Sequence, residues 1–458
     1  MQLCNLNKLV ITSLFVSVTF FCNADTRQTQ KLMSLDEVIS RALMNDPWLQ
    51  GNRLKQESIE SQSTASGSLP DPTMSINLLN MPVDSWQFDQ EAMTQFKVSV
   101  NQTLPRGDTL AINQSKLQLQ ASQYPYMRLD RRAKLESIVT QYWLDIFQAQ
   151  QTIELIQLDS ELFEQMVEIA KASYSNVVGK TRQQDIIMAQ LERIKLQDRL
   201  TIEQQNLEVS IAKLTGLIVN NKRPFRSRFT LLGVTDNKPD IQLLASNVLF
   251  NSNYTPEFIA DSIYNHPALK VIEVKYLTAK KSIELAEQKY KPKWSLNASY
   301  AYREDAPNSI NMQNSMPRSD FFSVGVSFDL PLFTDNKQDK EVESRIALTE
   351  IVKTEKLLLL RKMISDIDKE RQQLKRLKQR QILYKEQLLT QTHQQAETAL
   401  TAYTNDDGSL ASVIHARMAE LNAKITALKI NIELLKTTTR LNYYFVSEKQ
   451  DQSRFSGE

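Results

Sequence analysis

The sequence contains little glycine, only 9 residues in 458, and only 8% of its residues are aromatic. Both values argue against several sandwich or α/β domains, and the scarcity of glycine favours long helices. Charged residues make up 24% of the chain, but the formal net charge is only +2. A nucleic-acid-binding protein would need a broad basic face, so nucleic acid is not an expected partner.

Cysteine is almost absent, since Cys4 and Cys22 are the only two. Both lie in a segment typical of an export signal, with Lys8, the apolar run Leu9–Phe21 and small residues up to Ala24. The run is shorter than the roughly 20 residues of a membrane-spanning helix. We predict a signal peptide over residues 1–24; an uncleaved anchor or a lipid-modified Cys22 are the alternatives. Cleavage after Ala24 would leave a chain without thiols or disulfides.

Long apolar runs are also missing, because no segment after the signal has 18 uninterrupted apolar residues. If the exported chain crosses a membrane, it must therefore do so as strands. Four segments alternate apolar and polar residues and have about the length of a tilted membrane strand. They are Thr73–Asn80, Gln95–Leu104, Lys293–Tyr302 and Phe321–Leu330.

One face of the predicted strands is continuously apolar and carries aromatic residues. Trp294, Tyr300, Tyr302 and Phe322 belong to this face, so we predict a lipid-facing belt. Four strands cannot close a barrel, and an open sheet edge in lipid leaves backbone groups without hydrogen bonds. Several chains must then share one barrel, and three copies would supply twelve strands.

Most of the remaining sequence predicts two long helical hairpins. At ~1.5 Å per residue, the segment from Thr109 to Tyr174 would form a helix roughly 100 Å long. The first hairpin is interrupted around Tyr174 and Gly179, and the second around Tyr403 and Gly408, which lie 229 positions later in both cases. Apolar residues at alternating spacings of three and four predict coiled-coil seams. The seam residues are Leu421, Ile425, Leu428, Ile432 and Leu435, and Leu357, Leu360, Ile364 and Ile367.

Short motifs recur in the same order in both halves of the chain, which indicates internal duplication. Asn45-x-Pro47, for example, returns as Asn265-x-Pro267. We predict a first repeat over residues 25–230, a linker over 231–255, a second repeat over 256–446 and a disordered tail over 447–458.

In these features the chain resembles the TolC family of outer-membrane efflux channels. The resemblance rests on the two Asn-x-Pro helix openings, on Leu104-Pro105 and Leu330-Pro331 after the strands, and on the turn from Tyr174 to Ala189. Residues 81–91, together with Pro105-Arg-Gly-Asp108, resemble the heavy-metal-efflux branch, of the CusC and CzcC type.

The resemblance implies a mainly α fold with a small β part. Three identical chains would form a 12-stranded β-barrel in the outer membrane of a Gram-negative bacterium, in contact with its lipid, and a helical α-barrel extending into the periplasm. The implied partners are a periplasmic adaptor protein and an inner-membrane resistance-nodulation-division pump. These would dock at the hairpin turns, which contain Tyr174, Gly179, Asp185, Tyr403 and Gly408.

The second hairpin turn departs from the family pattern. Ile414 and Arg417 occupy the positions of the constricting aspartates of the family prototype. An acidic pore constriction would therefore have to come from Asp406 and Asp407, six carboxylates in a trimer. The alternative is a solvated turn that contains short polar residues.

The sequence contains none of the motifs typical of nucleophilic, phosphate-binding or zinc enzymes. We therefore predict a protein that is not an enzyme, without a cofactor or a metal site, acting as a passive conduit that exports substrates such as heavy-metal cations. Two other functions stay open, a protein-secretion duct with the same fold and a periplasmic coiled-coil adaptor or scaffold.

Overall fold

The structure is a computed structural model that describes residues 34–175, 183–219, 239–251, 254–305, 317–405 and 407–446. The predicted signal peptide, residues 1–24, and the predicted disordered tail, residues 447–458, lie outside the described residues. The division of the chain into two repeats at residues 231–255 also stays a prediction.

The first half of the chain contains two short helices, two strands and two long helices. These are α1 (Leu35–Asn45), α2 (Pro47–Ser66), β1 (Thr73–Leu79), β2 (Gln95–Leu104), α3 (Thr109–Ser175) and α4 (Gln183–Ile218). The 67 residues of α3 form one helix through Pro125 and span roughly 100 Å.

The second half returns to the same order after one additional short helix, α5. Its elements are α5 (Ser246–Leu249), α6 (Pro256–Ser262), α7 (Pro267–Glu287), β3 (Trp294–Tyr302), β4 (Phe321–Phe328), α8 (Gln338–Leu383), α9 (Leu389–Thr404) and α10 (Leu410–Tyr444). A π-helical turn at Tyr384–Leu388 connects α8 to α9, and the sequence did not predict it. The three segments, of 46, 5 and 16 residues, together match the length of α3.

The repeated Asn-x-Pro motif begins a helix in both halves. Asp46 caps α2, because its carboxylate accepts a hydrogen bond from the backbone amide two residues later. His266 caps α7 in the same way, through Nδ1. Pro47 and Pro267 occupy the first helical position, where a proline costs no hydrogen bond.

The four strands form one antiparallel sheet in the order β1-β2-β3-β4. Ile76 lies opposite Val98, Val98 opposite Tyr300, and Tyr300 opposite Phe322. Since side chains alternate between the faces of a strand, this register brings the predicted apolar rows together on one face. The mainly α fold with a small antiparallel sheet, predicted from sequence, is confirmed.

The helices are held together by three apolar clusters rather than by one central core. One contains Trp143 from α3 and Leu214 from α4, a second contains Phe163 and Leu421, and a third contains Ile367 from α8. The predicted seam of α10 lies within these clusters. The predicted seam of α8 is covered only in part.

Leu357 is the seam residue of α8 that the chain does not cover, since 54% of it is exposed, whereas Ile367 is fully buried. In the single chain, the apolar stripe of α8 therefore changes from an exposed surface to a core surface along the helix. The alternating spacing of three and four predicts which side of α8 is apolar, but not which element packs against it. The sequence therefore could not show that Leu357 is exposed and Ile367 buried.

Candidate functional site: the sheet and the hairpin turns

The sheet has an apolar face that the other described residues leave exposed. The four belt residues predicted from sequence all lie on this face, where Trp294 packs against Phe328 with ring centroids 4.7 Å apart. The exposed apolar side chains are Met74, Ile76, Leu78, Phe96, Val100, Trp294, Leu296, Tyr300, Tyr302, Phe322, Val324, Val326 and Phe328. An apolar surface of this extent is typical of contact with a membrane or with another protein.

The opposite face of the same sheet carries small polar side chains. The Oγ atoms of Ser75 and Ser99 lie 2.7 Å apart across β1 and β2, and Thr103 Oγ1 lies 3.5 Å from Ser295 Oγ across β2 and β3. Apart from Leu79, Ala301 and Phe321 at the end next to the β1–β2 loop, this face is polar, whereas the other face is apolar. This is the distribution that a wall between lipid and water requires.

Each outer strand pairs along one edge only within the described residues. β1 pairs with β2 and β4 pairs with β3, whereas β2 and β3 pair on both sides. The backbone groups on the outer edges of β1 and β4 are therefore available to further strands.

The junction between sheet and helices is fixed by polar contacts. Arg106 forms an ion pair with Asp329 and donates a hydrogen bond to the carbonyl of Lys291 at 2.9 Å. The next residue, Gly107, has a φ of 44°, a left-handed conformation that residues with a Cβ atom rarely adopt. Glycine is therefore favoured where the chain leaves β2 and enters α3.

The predicted docking residues at the hairpin turns are described only in part. Tyr174 lies in the last turn of α3, Asp185 in the first turn of α4 and Tyr403 near the end of α9. Gly179 and the candidate constriction residue Asp406 lie outside the described residues. The docking and constriction roles of all these residues stay predictions.

The turn between α9 and α10 is tight. The backbone amide of Asp407 donates to the carbonyl of Ala402 at 2.9 Å, and Ser409 caps α10. A Cβ atom on Gly408 would lie 2.9 Å from the backbone nitrogen of Tyr403. Glycine at 408 is explained by this close approach of the two helix ends.

A buried charge network, which was not predicted from the sequence, joins α9 to α10. Glu420 is buried, and its carboxylate lies 2.9 Å from His393, 2.9 Å from Arg417 and 3.0 Å from Lys424. Burial would raise the pKa of Glu420, but the hydrogen bonds from these three groups outweigh it and lower that pKa to about 2. Glu420 is therefore a carboxylate at every physiological pH.

The same network determines the position of Arg417. Its guanidinium also contacts Glu397 of α9 at 2.7 Å, and its side chain is only 14% exposed. Arg417 therefore holds two helices of one hairpin together. The sequence does show opposite charges three or four positions apart in α10, which is the spacing of an ion pair within a helix. Such pairs are abundant on solvated helix faces, so the spacing alone did not identify a buried network.

The described part of the chain contains no group of three or more histidine, cysteine, aspartate or glutamate side chains that could hold a metal ion. None of the helices described has both the length and the apolar character needed to span a membrane.

No protein-family model matches the chain, and no curated protein matches it. Several solved structures do match the chain. The channel CusC matches with a TM-score of 0.70 at 13% identity, covering 90% of this chain and 92% of its own. The outer membrane protein VceC of Vibrio cholerae matches with a TM-score of 0.71 at 13% identity, covering 90% and 96%.

The Campylobacter jejuni outer membrane channel CmeC matches with a TM-score of 0.71 at 13% identity, covering 92% of this chain and 89% of its own. The similarity extends over nearly the whole length of each protein. At such low identity the shared property is the fold. The chain therefore has the fold of these outer-membrane channels.

Proposed function

We propose that the protein is an outer-membrane channel of the TolC family that acts as the exit duct of a tripartite efflux system. The observation that carries this proposal is the four-stranded sheet, with an exposed apolar face, a polar face and two open edges, attached to helices roughly 100 Å long. Two further copies of the chain would supply strands for both edges. The assembly would be a homotrimer with a 12-stranded barrel.

The apolar face would contact outer-membrane lipid. Trp294, Tyr300, Tyr302 and Phe322 would form its aromatic belt, because aromatic side chains are favoured where lipid meets water. The polar face would line a water-filled lumen. The long helices would then extend into the periplasm as a tunnel.

The hairpin turns lie at the far end of α3 from the sheet, so they would reach deepest into the periplasm. Tyr174, Gly179, Asp185, Tyr403 and Gly408 would dock a periplasmic adaptor and, through it, a resistance-nodulation-division pump in the inner membrane. A channel of this kind transports passively and catalyses no reaction.

The proposed substrates are heavy-metal cations, a choice supported by the resemblance of residues 81–91 to the metal-efflux branch. Asp406 and Asp407 would form a ring of six carboxylates at the narrow end, which favours cations. In single-channel recordings, the double substitution Asp406→Asn, Asp407→Asn should reduce cation selectivity. Unchanged selectivity would assign these residues to a solvated turn.

The channel proposal is tested by fractionation and electrophoresis. The protein should be found in outer-membrane fractions as a trimer that resists detergent until it is heated. A water-soluble monomer would instead support the periplasmic adaptor. Deletion of the gene should reduce metal tolerance, whereas a loss of secreted proteins would support the secretion duct.

A further inference from the structure

The loop between β1 and β2 has a defined structure of its own. The side-chain amide of Asn80 donates to the carbonyl of Met93 at 3.0 Å, and the hydroxyl of Thr94 donates to the carbonyl of Asn80 at 2.9 Å. Within the loop, the backbone amide of Trp86 donates to the carbonyl of Pro82 at 3.1 Å. These bonds close the base of the loop and fold its tip.

The loop presents apolar side chains that the described chain leaves uncovered. Val83 is 81% exposed, Trp86 68% and Met93 61%. Trp86 also has a φ of 56°, a left-handed conformation that is unfavourable for an aromatic residue. Such strain is retained where it positions a side chain for a function, and the described residues do not bury this side chain.

A ring stack and hydrogen bonds attach the loop to the adjacent end of the sheet. Phe88 stacks on Tyr302, with ring centroids 6.1 Å apart and planes inclined by 14°. Arg303 donates to the carbonyl of Ala92 at 3.3 Å, and Arg318 donates to the carbonyl of Asp89 at 3.1 Å. Because Tyr302 belongs to the apolar face, Phe88 extends that face from the strands onto the loop that carries Trp86.

We propose that the β1–β2 loop is an interfacial anchor, in which Trp86 and Val83 contact the boundary between headgroups and acyl chains of a lipid bilayer. The occupant is lipid because the loop extends the surface assigned to lipid, so this inference rests on the proposed function. An indole has an apolar body and one N–H donor, which suits the interface better than either water or hydrocarbon.

The four tryptophans of the chain provide the test, since each has a different environment. Trp86 is the anchor, Trp294 belongs to the proposed belt, Trp48 lies in the first turn of α2, and Trp143 is buried in the helical core. The full-length protein and its Trp86→Phe, Trp294→Phe and Trp48→Phe variants would be reconstituted in phosphatidylcholine vesicles. The difference in emission between the parent protein and each variant isolates one tryptophan.

Vesicles with bromine near the top of the acyl chains quench only tryptophans that contact lipid. We expect brominated lipid to remove most of the Trp86 and Trp294 emission and to leave the Trp48 emission unchanged. If Trp294 is quenched but Trp86 behaves like Trp48, the anchor is overturned while the channel proposal stands. If neither Trp86 nor Trp294 is quenched, the membrane position of the sheet fails as well.

A second variant tests how the loop is held. Phe88→Ala removes the stack on Tyr302, and the Trp86 emission is then isolated by comparison with the Phe88→Ala, Trp86→Phe double variant. We expect quenching by brominated lipid to fall toward the value for Trp48. Quenching equal to that of the parent protein would overturn the role of the stack in placing Trp86.

Discussion

At the scale of single residues, the two Asn-x-Pro motifs have different helix-capping residues at the same position. Asp46 and His266 are the middle residues of the two Asn-x-Pro motifs, and both cap a helix with a buried side chain. Asp46 also forms an ion pair with Arg131, whereas His266 is held by hydrogen bonds. Its Nε2 donates to the carbonyl of Tyr443 at 3.1 Å while Nδ1 accepts from a backbone amide. The Nδ1 contact requires the neutral ring, because a protonated ring cannot accept a hydrogen bond, whereas Nε2 can donate in either state.

His266 should make stability dependent on pH. Burial lowers its pKa; the bond to Tyr443 and the charge of Asp130 oppose this effect, and Lys134 adds to it. The contribution to stability is therefore complete above the ordinary pKa of 6.5 and is lost as the pH falls through the lowered value. Purified wild-type protein should melt at a lower temperature at about pH 5.5 than at about pH 7.5.

The variant His266→Asn keeps a capping oxygen but does not titrate. It should lose about 1 kcal/mol of unfolding free energy at neutral pH, because the bond to Tyr443 is lost, and its melting temperature should depend less on pH. His415→Asn, at an exposed position of α10, is the matched control and should keep the wild-type dependence. Equal pH dependence of the melting temperature in the wild-type protein and both variants would contradict the assignment of that dependence to His266.

Glu420 is the second residue whose environment permits a prediction. Glu420→Gln would leave the buried guanidinium of Arg417 short of one charged partner, which typically costs about 3 kcal/mol. Glu397→Gln removes the other, half-exposed partner of Arg417 and should cost no more than about 1 kcal/mol. Chemical denaturation of both variants checks the ranking, and equal losses would contradict it.

At the scale of elements, the long helices follow from composition, and their turns follow from local geometry. α3 and the α8–α9 run have matching lengths. In the second hairpin, Gly408 lies where the chain reverses between α9 and α10.

Gly408→Ala should weaken the second hairpin turn. The added methyl group would lie 2.9 Å from the backbone of Tyr403, which cannot yield as a flexible side chain could. We expect a loss of about 1–3 kcal/mol, detected as faster amide hydrogen exchange on both sides of the turn.

Gly216→Ala in α4 is the control for this substitution, because nothing lies within 4 Å of its added Cβ. Alanine is favoured over glycine inside a helix, so this variant should gain about 0.5–1 kcal/mol. If the two alanine variants shift stability in the same direction, the close approach at Gly408 is not what requires glycine there.

At the scale of the whole molecule, the described residues leave several apolar surfaces exposed. Among them, the sheet has two open edges and an uncovered apolar face, and Leu357 on α8 is uncovered as well. In the proposed trimer, neighbouring copies would cover the edges and Leu357, and lipid would cover the apolar face. Stability of the isolated chain and assembly of the complex should respond differently to substitutions on these surfaces.

Neighbouring residues of β4 allow the two faces of the sheet to be compared directly. Val324 points to the apolar face and Ser323 to the polar face. Val324→Lys should cost about 2–4 kcal/mol in the membrane and reduce the trimer recovered from outer-membrane fractions, whereas Ser323→Lys should be tolerated. Equal recovery of the two variants would contradict a lipid-facing assignment.

Much of the architecture could be predicted from the sequence by itself. Alternation assigned Trp294, Tyr300 and Tyr302 to one face of a strand, and the long stretches with little glycine or proline predicted the helices. The repeated Asn-x-Pro motif marked the starts of α2 and α7. These features are local, since a strand or a helix fixes the direction of each side chain relative to its neighbours in the chain.

Only the tertiary structure decided which distant groups meet. His393 and Glu420 lie 27 positions apart on different helices, and Phe88 contacts Tyr302 although almost half of the sequence separates them. It likewise decided that Ile367 is buried while Leu357 is not. The physical reason is that burial and the pairing of charges depend on which elements pack together, whereas periodicity determines only the face on which a residue lies.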